Sequence, residues 1–85
     1  MLFHPRFQKD LEKLPPAFRA LTLQKLQVFQ KSPLHPSLRL HPLRGKLVGI
    51  WSLSITKNIR VLFESTDSGD VILLSVGHHD IYKHF

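Results

Sequence analysis

The first part of the chain carries its hydrophobic residues at helical spacing. Four apolar residues recur at intervals of four, four and three positions, which places them on one helical face: Phe3, Phe7, Leu11 and Leu14. Proline is tolerated in a first helical turn but breaks a helix interior. The pattern therefore predicts one helix that begins at Pro5 and ends before Pro15.

A second helix is predicted from Pro16 to Lys31, because the proline pair at 15–16 starts a new helix rather than continuing the first. The apolar positions on its predicted inner side are Ala17, Phe18, Leu21, Val28 and Phe29. Lys25 interrupts this stripe, and Leu23 lies outside it. The two segments are typical of a helical hairpin with a basic outer surface.

The pattern changes after these helices. Three prolines between residues 32 and 42 predict a loop, with one short strand around residues 38–40. After Gly45 the apolar period becomes two, with one face formed by Trp51, Leu53 and Ile55. Ser52 and Ser54 occupy the opposite face of this predicted strand.

Two further strands are predicted beyond a tight turn at residues 56–58. The first alternates its apolar positions: Ile59, Val61 and Phe63. With regular hairpin register, Arg60 shares the face of the two serines. Residues 65–70 predict a second hairpin loop, and the almost uniformly apolar residues 71–76 predict a central strand.

Helices at one end of the sequence and strands at the other indicate an α+β fold. We expect the helical hairpin to pack on one face of a small antiparallel sheet. The chain has 85 residues, the length of one small domain, so residues 1–85 are predicted to form a single domain.

The charge is distributed unevenly along the chain. It holds 12 Lys or Arg and 6 Asp or Glu, a formal net charge of +6. Residues 1–46 carry nine basic against two acidic residues (+7), and residues 47–85 three against four (−1). A basic surface attracts nucleic acid, anionic lipid or an acidic protein, and it is equally typical of a solvated surface that keeps a small domain soluble.

Several function classes are excluded. Cysteine is absent, which excludes disulfides, cysteine-based zinc sites and thiol catalysis. The longest apolar stretches, at 47–51 and 71–74, are too short to span a membrane, and residues 1–6 lack the apolar run of a signal peptide. We therefore expect a cytoplasmic protein.

Histidine and arginine supply the remaining candidate chemistry. His78 and His79 are adjacent, and adjacent strand residues point to opposite faces, so the pair is poorly placed to chelate one metal ion. Histidine exchanges protons near neutral pH, and arginine matches phosphate with two parallel hydrogen bonds. RNA cleavage through the 2′-hydroxyl uses this combination and requires no metal or cofactor. Arg60 is the best single candidate.

Four segments, taken in order, carry a resemblance to a known family. They are His-Pro-Leu-Arg-Gly at 41–45, Gly-Ile-Trp-Ser-Leu-Ser-Ile at 49–55, Ile-Arg-Val-Leu-Phe at 59–63 and Ser-Val-Gly-His-His-Asp-Ile-Tyr at 75–82. Their combination resembles the RelE/ParE toxin superfamily of type II toxin–antitoxin systems, in particular its YafQ-like and plasmid-stabilisation (RelE/StbE) branch. The stretch from Phe7 to Leu14 also matches the first helix of that family, so the resemblance extends over essentially the whole chain.

The resemblance implies the RelE-like ribonuclease fold and a ribosome-dependent, metal-independent endoribonuclease that cleaves mRNA by 2′-hydroxyl attack on the scissile phosphate. The catalytic residues that it implies are His41, Arg60, His79 and Tyr82. We expect RNA contacts from Arg44, Lys46, Lys57 and His78. The implied partners are mRNA, the ribosome and an acidic or amphipathic antitoxin encoded next door, with operator DNA bound only through the antitoxin complex. No cofactor and no membrane partner are expected.

The chain departs from its relatives at three positions, which leaves alternatives open. Ser52 and Ser54 stand where RelE has lysines, and Asn58 occupies a turn where YafQ-like enzymes have an acid. One alternative is a ParE-like toxin that inhibits DNA gyrase, because members with this fold differ in target. Others are a catalytically degenerate module that only binds its antitoxin and a general basic nucleic-acid-binding domain.

Overall fold

The computed structural model of the chain describes residues 1–81. In these residues two helices and five strands occur in the order β1 (Leu2–Phe3), α1 (Pro5–Lys13), α2 (Pro16–Lys31), β2 (His41–Pro42), β3 (Ile50–Ser54), β4 (Ile59–Ser65) and β5 (Val71–His78). Short 3-10 helices at Pro36–Leu38 and Gly45–Leu47 flank β2. The predicted α+β fold with an N-terminal helical hairpin is confirmed.

The sheet has the strand order β1-β5-β4-β3-β2. Strands β2 to β5 pair antiparallel, as predicted, whereas β1 pairs parallel with β5. The sheet is therefore mixed and wider than the predicted meander of three or four strands. With only two residues, β1 is too short to produce an alternating pattern in the sequence.

The helices begin and end where the prolines predict. At the start of α1 the Nδ1 atom of His4 accepts a hydrogen bond from the backbone N–H of Arg6 at 3.0 Å, which caps the helix. The inner face of α2 differs from the predicted stripe: Thr22, Leu26 and Phe29 are buried. The predicted positions Ala17 and Phe18 are exposed. Thr22 can be buried because its hydroxyl donates to the carbonyl of Phe18 at 2.8 Å.

The hydrophobic core lies between the helices and one face of the sheet. Its buried members are Phe7, Leu26, Phe29, Leu38, Leu53, Ile55, Ile59, Val61, Phe63, Leu73 and Val76. The rings of Phe29 in α2 and Phe63 in β4 lie 5.0 Å apart between centroids and join the two layers. Trp51 is half-buried and packs against this core, as the alternation predicts.

A polar contact fixes α1 on β5. The carboxylate oxygen Oδ2 of Asp10 accepts from the Ser75 hydroxyl at 2.5 Å and from the Val76 backbone N–H at 3.4 Å. The pairing of β4 with β5 shifts register between Leu62 and Phe63, next to this contact. The bulge interrupts the regular ladder where β5 meets the carboxylate.

The predicted strand at residues 38–40 is wrong. Leu38 ends a 3-10 helix and is fully buried, and Arg39 adopts the left-handed conformation with φ of 45°. The turn forms because the Nδ1 atom of His35 accepts from the backbone N–H of Ser37 at 3.2 Å and caps the short helix. The strand begins only at His41.

Candidate active site

The sheet face away from the helices carries the polar positions of β3 and β4. Ser54 lies directly opposite Arg60 in the ladder, and Ser52 lies opposite Leu62. Directly opposed residues of antiparallel strands project to the same face. The predicted placement of Arg60 on the serine face is therefore confirmed. Ser52, Ser54 and Leu62 are each at most 5% exposed, so these three side chains are buried on this face.

Three of the predicted catalytic residues line one pocket on this face. The pocket has a volume of about 200 Å³ and is lined by His41, Leu43, Ser52, Arg60, Leu62 and His79. We call it the His41 pocket. It draws its residues from β2, β3, β4 and the end of β5, which are far apart in the sequence. The geometry brings these side chains together, and their catalytic roles stay predictions.

The orientation of His41 is set by a backbone carbonyl. Its Nδ1 atom lies 3.1 Å from the carbonyl oxygen of Arg39. A carbonyl can only accept, so Nδ1 carries the proton and neutral His41 keeps a free lone pair on Nε2. His41 lies opposite Ser52 in the β2–β3 ladder and is exposed. An exposed imidazole with a basic Nε2 can take a proton from a bound substrate.

Arg60 is held from the opposite side by the β3–β4 turn. Its NH1 atom donates to the carbonyl oxygen of Thr56 at 2.7 Å. The Thr56 hydroxyl in turn accepts from the backbone N–H groups of Asn58 and Ile59 at 3.1 and 3.0 Å. This network confirms the predicted tight turn. It also fixes one edge of the guanidinium, which leaves the other edge to meet an anion.

His79 reaches the His41 pocket through a fold-back of the chain after β5. Gly77 lies opposite Arg60, and a Cβ atom added there would come within 2.6 Å of the Ile81 Cγ2 atom. The Ile81 side chain therefore lies over the sheet on the Arg60 face, and the turn before it carries His79 across. The rings of His78 and His79 are 6.0 Å apart, and only the latter lines the pocket. Tyr82 lies outside the described residues.

A second, larger pocket adjoins the first at Arg60. It has a volume of about 440 Å³ and is lined by Ser37, Arg39, Ser54, Ile55, Thr56, Lys57 and Arg60. We call it the Ser54 pocket. The Oγ atom of Ser54 is buried and has no hydrogen-bond partner among the described residues.

The four predicted RNA contacts lie on the surface of the molecule. The side chains of Arg44, Lys46, Lys57 and His78 are all exposed. Lys57 lines the Ser54 pocket, and the other three line neither of the two pockets. Sequence reasoning missed Ser37 and Arg39 among the lining residues. Arg39 lies where a strand is predicted at residues 38–40, and Ser37 lies in the predicted loop before it.

The part of the chain that the structure describes contains no group of three or more His, Asp or Glu side chains that could hold a metal ion. Within the same residues, no helix is long and apolar enough to cross a membrane.

Solved structures of known toxins share this fold. The RelBE2 toxin–antitoxin complex from Mycobacterium tuberculosis is similar at 29% identity, with a TM-score of 0.74 over 91% of this chain and 93% of that one. The RelB–RelE complex from Methanococcus jannaschii is similar at 24% identity, with a TM-score of 0.70 over 100% and 99% of the two chains. YafQ from Escherichia coli is similar in fold at 17% identity, with a TM-score of 0.74 over 92% and 90%.

Comparison with curated proteins finds no significant match. The sequence model of the ParE toxins of type II toxin–antitoxin systems (parDE) matches residues 1–81, nearly the whole chain. The match agrees with the helical hairpin, the sheet and the order of motifs described above. This chain therefore belongs to the ParE toxin family, within the RelE/ParE superfamily of type II toxin–antitoxin toxins.

Proposed function

We propose that this toxin is an endoribonuclease that cleaves mRNA on the ribosome without a metal ion. The observation that carries the proposal is the convergence of His41, Arg60 and His79 on one pocket. Two imidazoles and a guanidinium are the groups needed to move two protons and to stabilise a phosphorane-like transition state.

The hydrogen bond of His41 supports a division of roles between the two histidines. The free Nε2 of His41 removes the proton of a ribose 2′-hydroxyl, and the resulting oxygen attacks the adjacent phosphorus. The bond from phosphorus to the 5′ oxygen breaks, and the imidazolium of His79 gives that oxygen a proton. The products are a 2′,3′-cyclic phosphate and a 5′-hydroxyl. Arg60 stabilises the charge that builds up on the phosphate oxygens.

The size of the His41 pocket supports dependence on the ribosome. Its volume of about 200 Å³ is below the range of roughly 300–1,000 Å³ in which small ligands are usually enclosed. The pocket can hold a phosphate and parts of its riboses but cannot order an RNA strand. Much of catalysis depends on holding the reacting atoms in line. On the ribosome the RNA is already held in place, so the ribosome would supply the alignment that the pocket cannot.

A cognate antitoxin is the proposed protein partner. The similar M. tuberculosis and M. jannaschii structures are toxin–antitoxin complexes, and so is the E. coli DinJ–YafQ complex. The net charge of +6 favours an acidic partner. The gene next to that of this toxin is expected to encode it.

Cleavage in a purified translation system tests the proposal. Wild-type protein should cut mRNA on programmed ribosomes, whereas a His79→Ala/Arg60→Ala variant should be inactive. The matched control is His4→Asn, because His4 is another exposed histidine, lies outside both pockets and is replaced by a good helix cap. Full activity or full toxicity of the double variant would overturn the assignment.

Inhibition of DNA gyrase is the second candidate function. The observation that favours it is the match of residues 1–81 to the ParE toxin model. A supercoiling assay separates the two functions. If the protein inhibits gyrase and leaves ribosome-bound mRNA intact, gyrase inhibition becomes the preferred function. If it affects neither gyrase nor mRNA, it is a module that only binds its antitoxin.

A further inference from the structure

The Ser54 hydroxyl is an unusual feature of the sheet. Ser54 is only 5% exposed, and its Oγ atom has no hydrogen-bond partner among the described residues. A buried hydroxyl without a partner destabilises a protein, so such groups are rare and call for an explanation. The Ser54 side chain lines the Ser54 pocket, which has room for a ligand that would accept a hydrogen bond from this hydroxyl.

The charged side chains that line this pocket are all positive. Arg39, Lys57 and Arg60 line it, and no carboxylate does so in the part of the chain that the structure describes. Three cations that share a concave surface attract an anion more strongly than the same cations dispersed. Two of them are guanidiniums, which suit the oxygens of phosphate.

Part of the pocket wall is held by hydrogen bonds within the protein. The Thr56 hydroxyl accepts two backbone hydrogen bonds within the turn that carries Lys57. Arg60 is held by the Thr56 carbonyl. On the other side, Arg39 occupies a left-handed conformation that is rare for residues other than glycine. A site with preset geometry loses less conformational entropy when it binds.

We propose that the Ser54 pocket binds a backbone phosphate of RNA, next to the phosphate held in the His41 pocket. Arg60 lines both pockets and so connects the two phosphates. The Ser54 hydroxyl donates to one phosphate oxygen, and Arg39 and Lys57 neutralise the charge. The choice of RNA as the ligand rests on the proposed function, whereas the affinity of the pocket for phosphate does not.

Titration with inorganic phosphate tests the pocket alone. Backbone amide shifts of residues 54–57 should saturate with phosphate and stay unchanged in chloride of equal ionic strength. Ser54→Ala and Lys57→Ala should each weaken phosphate binding about threefold to tenfold. Lys9→Ala, the control, removes an exposed lysine that lines neither pocket and should leave the affinity unchanged.

The serine variant has a second readout. Ser54→Ala removes an unpaired buried hydroxyl, so its Tm should rise while its affinity for phosphate falls. A serine with a purely structural role would not move these two quantities in opposite directions. Equal phosphate affinity in the wild type and in a Ser54→Ala/Lys57→Ala variant would overturn the proposed site.

A non-cleavable RNA tests whether the phosphate belongs to the RNA backbone. The oligonucleotide carries a 2′-deoxy sugar at the cleavage position and one uncharged methylphosphonate linkage beside it. The uncharged linkage should weaken binding to the wild type severalfold but not binding to the double variant, which is the coupling expected of a direct contact. Equal losses for both proteins, with the linkage on either side, would overturn the RNA assignment. This RNA is not cleaved, so the binding test does not depend on nuclease activity. If the coupling is observed but the protein cleaves no mRNA in the translation system, the proposed function is rejected and the phosphate site is kept.

Discussion

The Nδ1 atom of His41 lies 3.1 Å from the carbonyl oxygen of Arg39, a residue in the left-handed conformation. This contact predicts that neutral His41 carries its proton on Nδ1. Nitrogen-15 shifts of the neutral imidazole report the tautomer directly. A proton on Nε2 would contradict the hydrogen bond and would leave His41 without the lone pair that the proposed base requires.

Arg60→Lys separates charge from geometry in the His41 pocket. The lysine keeps a positive charge but cannot hold the Thr56 carbonyl and a phosphate with one rigid fork. We expect cleavage on programmed ribosomes to fall about 10²-fold, the size of the loss of one transition-state contact. Binding of non-cleavable RNA should fall much less. A variant that loses binding and cleavage equally would show that Arg60 acts only by attracting RNA.

Asp10→Ala should destabilise the fold. The variant leaves the Ser75 hydroxyl and the Val76 N–H without their shared acceptor at the α1–β5 contact. A loss of about 1–3 kcal/mol in the free energy of unfolding is expected in urea titrations. Glu12→Ala is the control, because Glu12 is exposed on the same helix and should change stability by less than about 0.5 kcal/mol. Equal effects of the two variants would contradict the tether.

Gly77→Ala tests the fold-back after β5. The added Cβ would meet Ile81 at 2.6 Å, so one of the two segments must shift. We expect a loss of about 1–3 kcal/mol in the free energy of unfolding. Ile81→Ala in the same chain should restore part of it, a coupling that a double-mutant cycle measures. Additive losses would show that the two residues do not touch.

Acid should weaken the contact between Asp70 and the amino terminus. The ammonium of Met1 donates to the Asp70 carboxylate at 2.9 Å, and the backbone N–H of Val71 donates to it at 2.8 Å. These bonds hold the pKa of Asp70 below its ordinary value of 3.8. The stabilisation is therefore complete above that value and is lost as the pH falls through the lowered pKa. The Tm of the wild type should be slightly higher than that of Asp70→Asn at neutral pH, and the two Tm values should converge in acid. A difference in Tm that grew in acid would contradict this.

Local patterns predicted the parts of the fold that local physics determines. Prolines placed both ends of α2 correctly because they restrict the backbone wherever they occur. Strand alternation placed Arg60 on the serine face, since side chains change face at every residue. Alternation could not show that Ser52 and Ser54 would be buried, because burial depends on what covers a face.

The features that the sequence does not predict depend on pairing partners distant in the sequence or on rare backbone conformations. Strand β1 exists only because Leu2 and Phe3 pair with residues 72 and 73. Left-handed backbone is usually marked in a sequence by glycine, but here the residue is Arg39. The turn around Arg39, which forms one wall of the Ser54 pocket, is therefore predicted as a strand. His41, Arg60 and His79 are predicted catalytic residues, and they line one pocket only because strands distant in the sequence pair with one another.

Both edges of the sheet are formed by strands of only two residues, β1 and β2. An edge strand offers unpaired backbone groups on which another chain can add, and long flat edges promote aggregation. Here the longer strands lie inside the sheet, and Pro42 has no N–H to offer at the outer edge. The described part of the toxin thus presents little template for fibril growth.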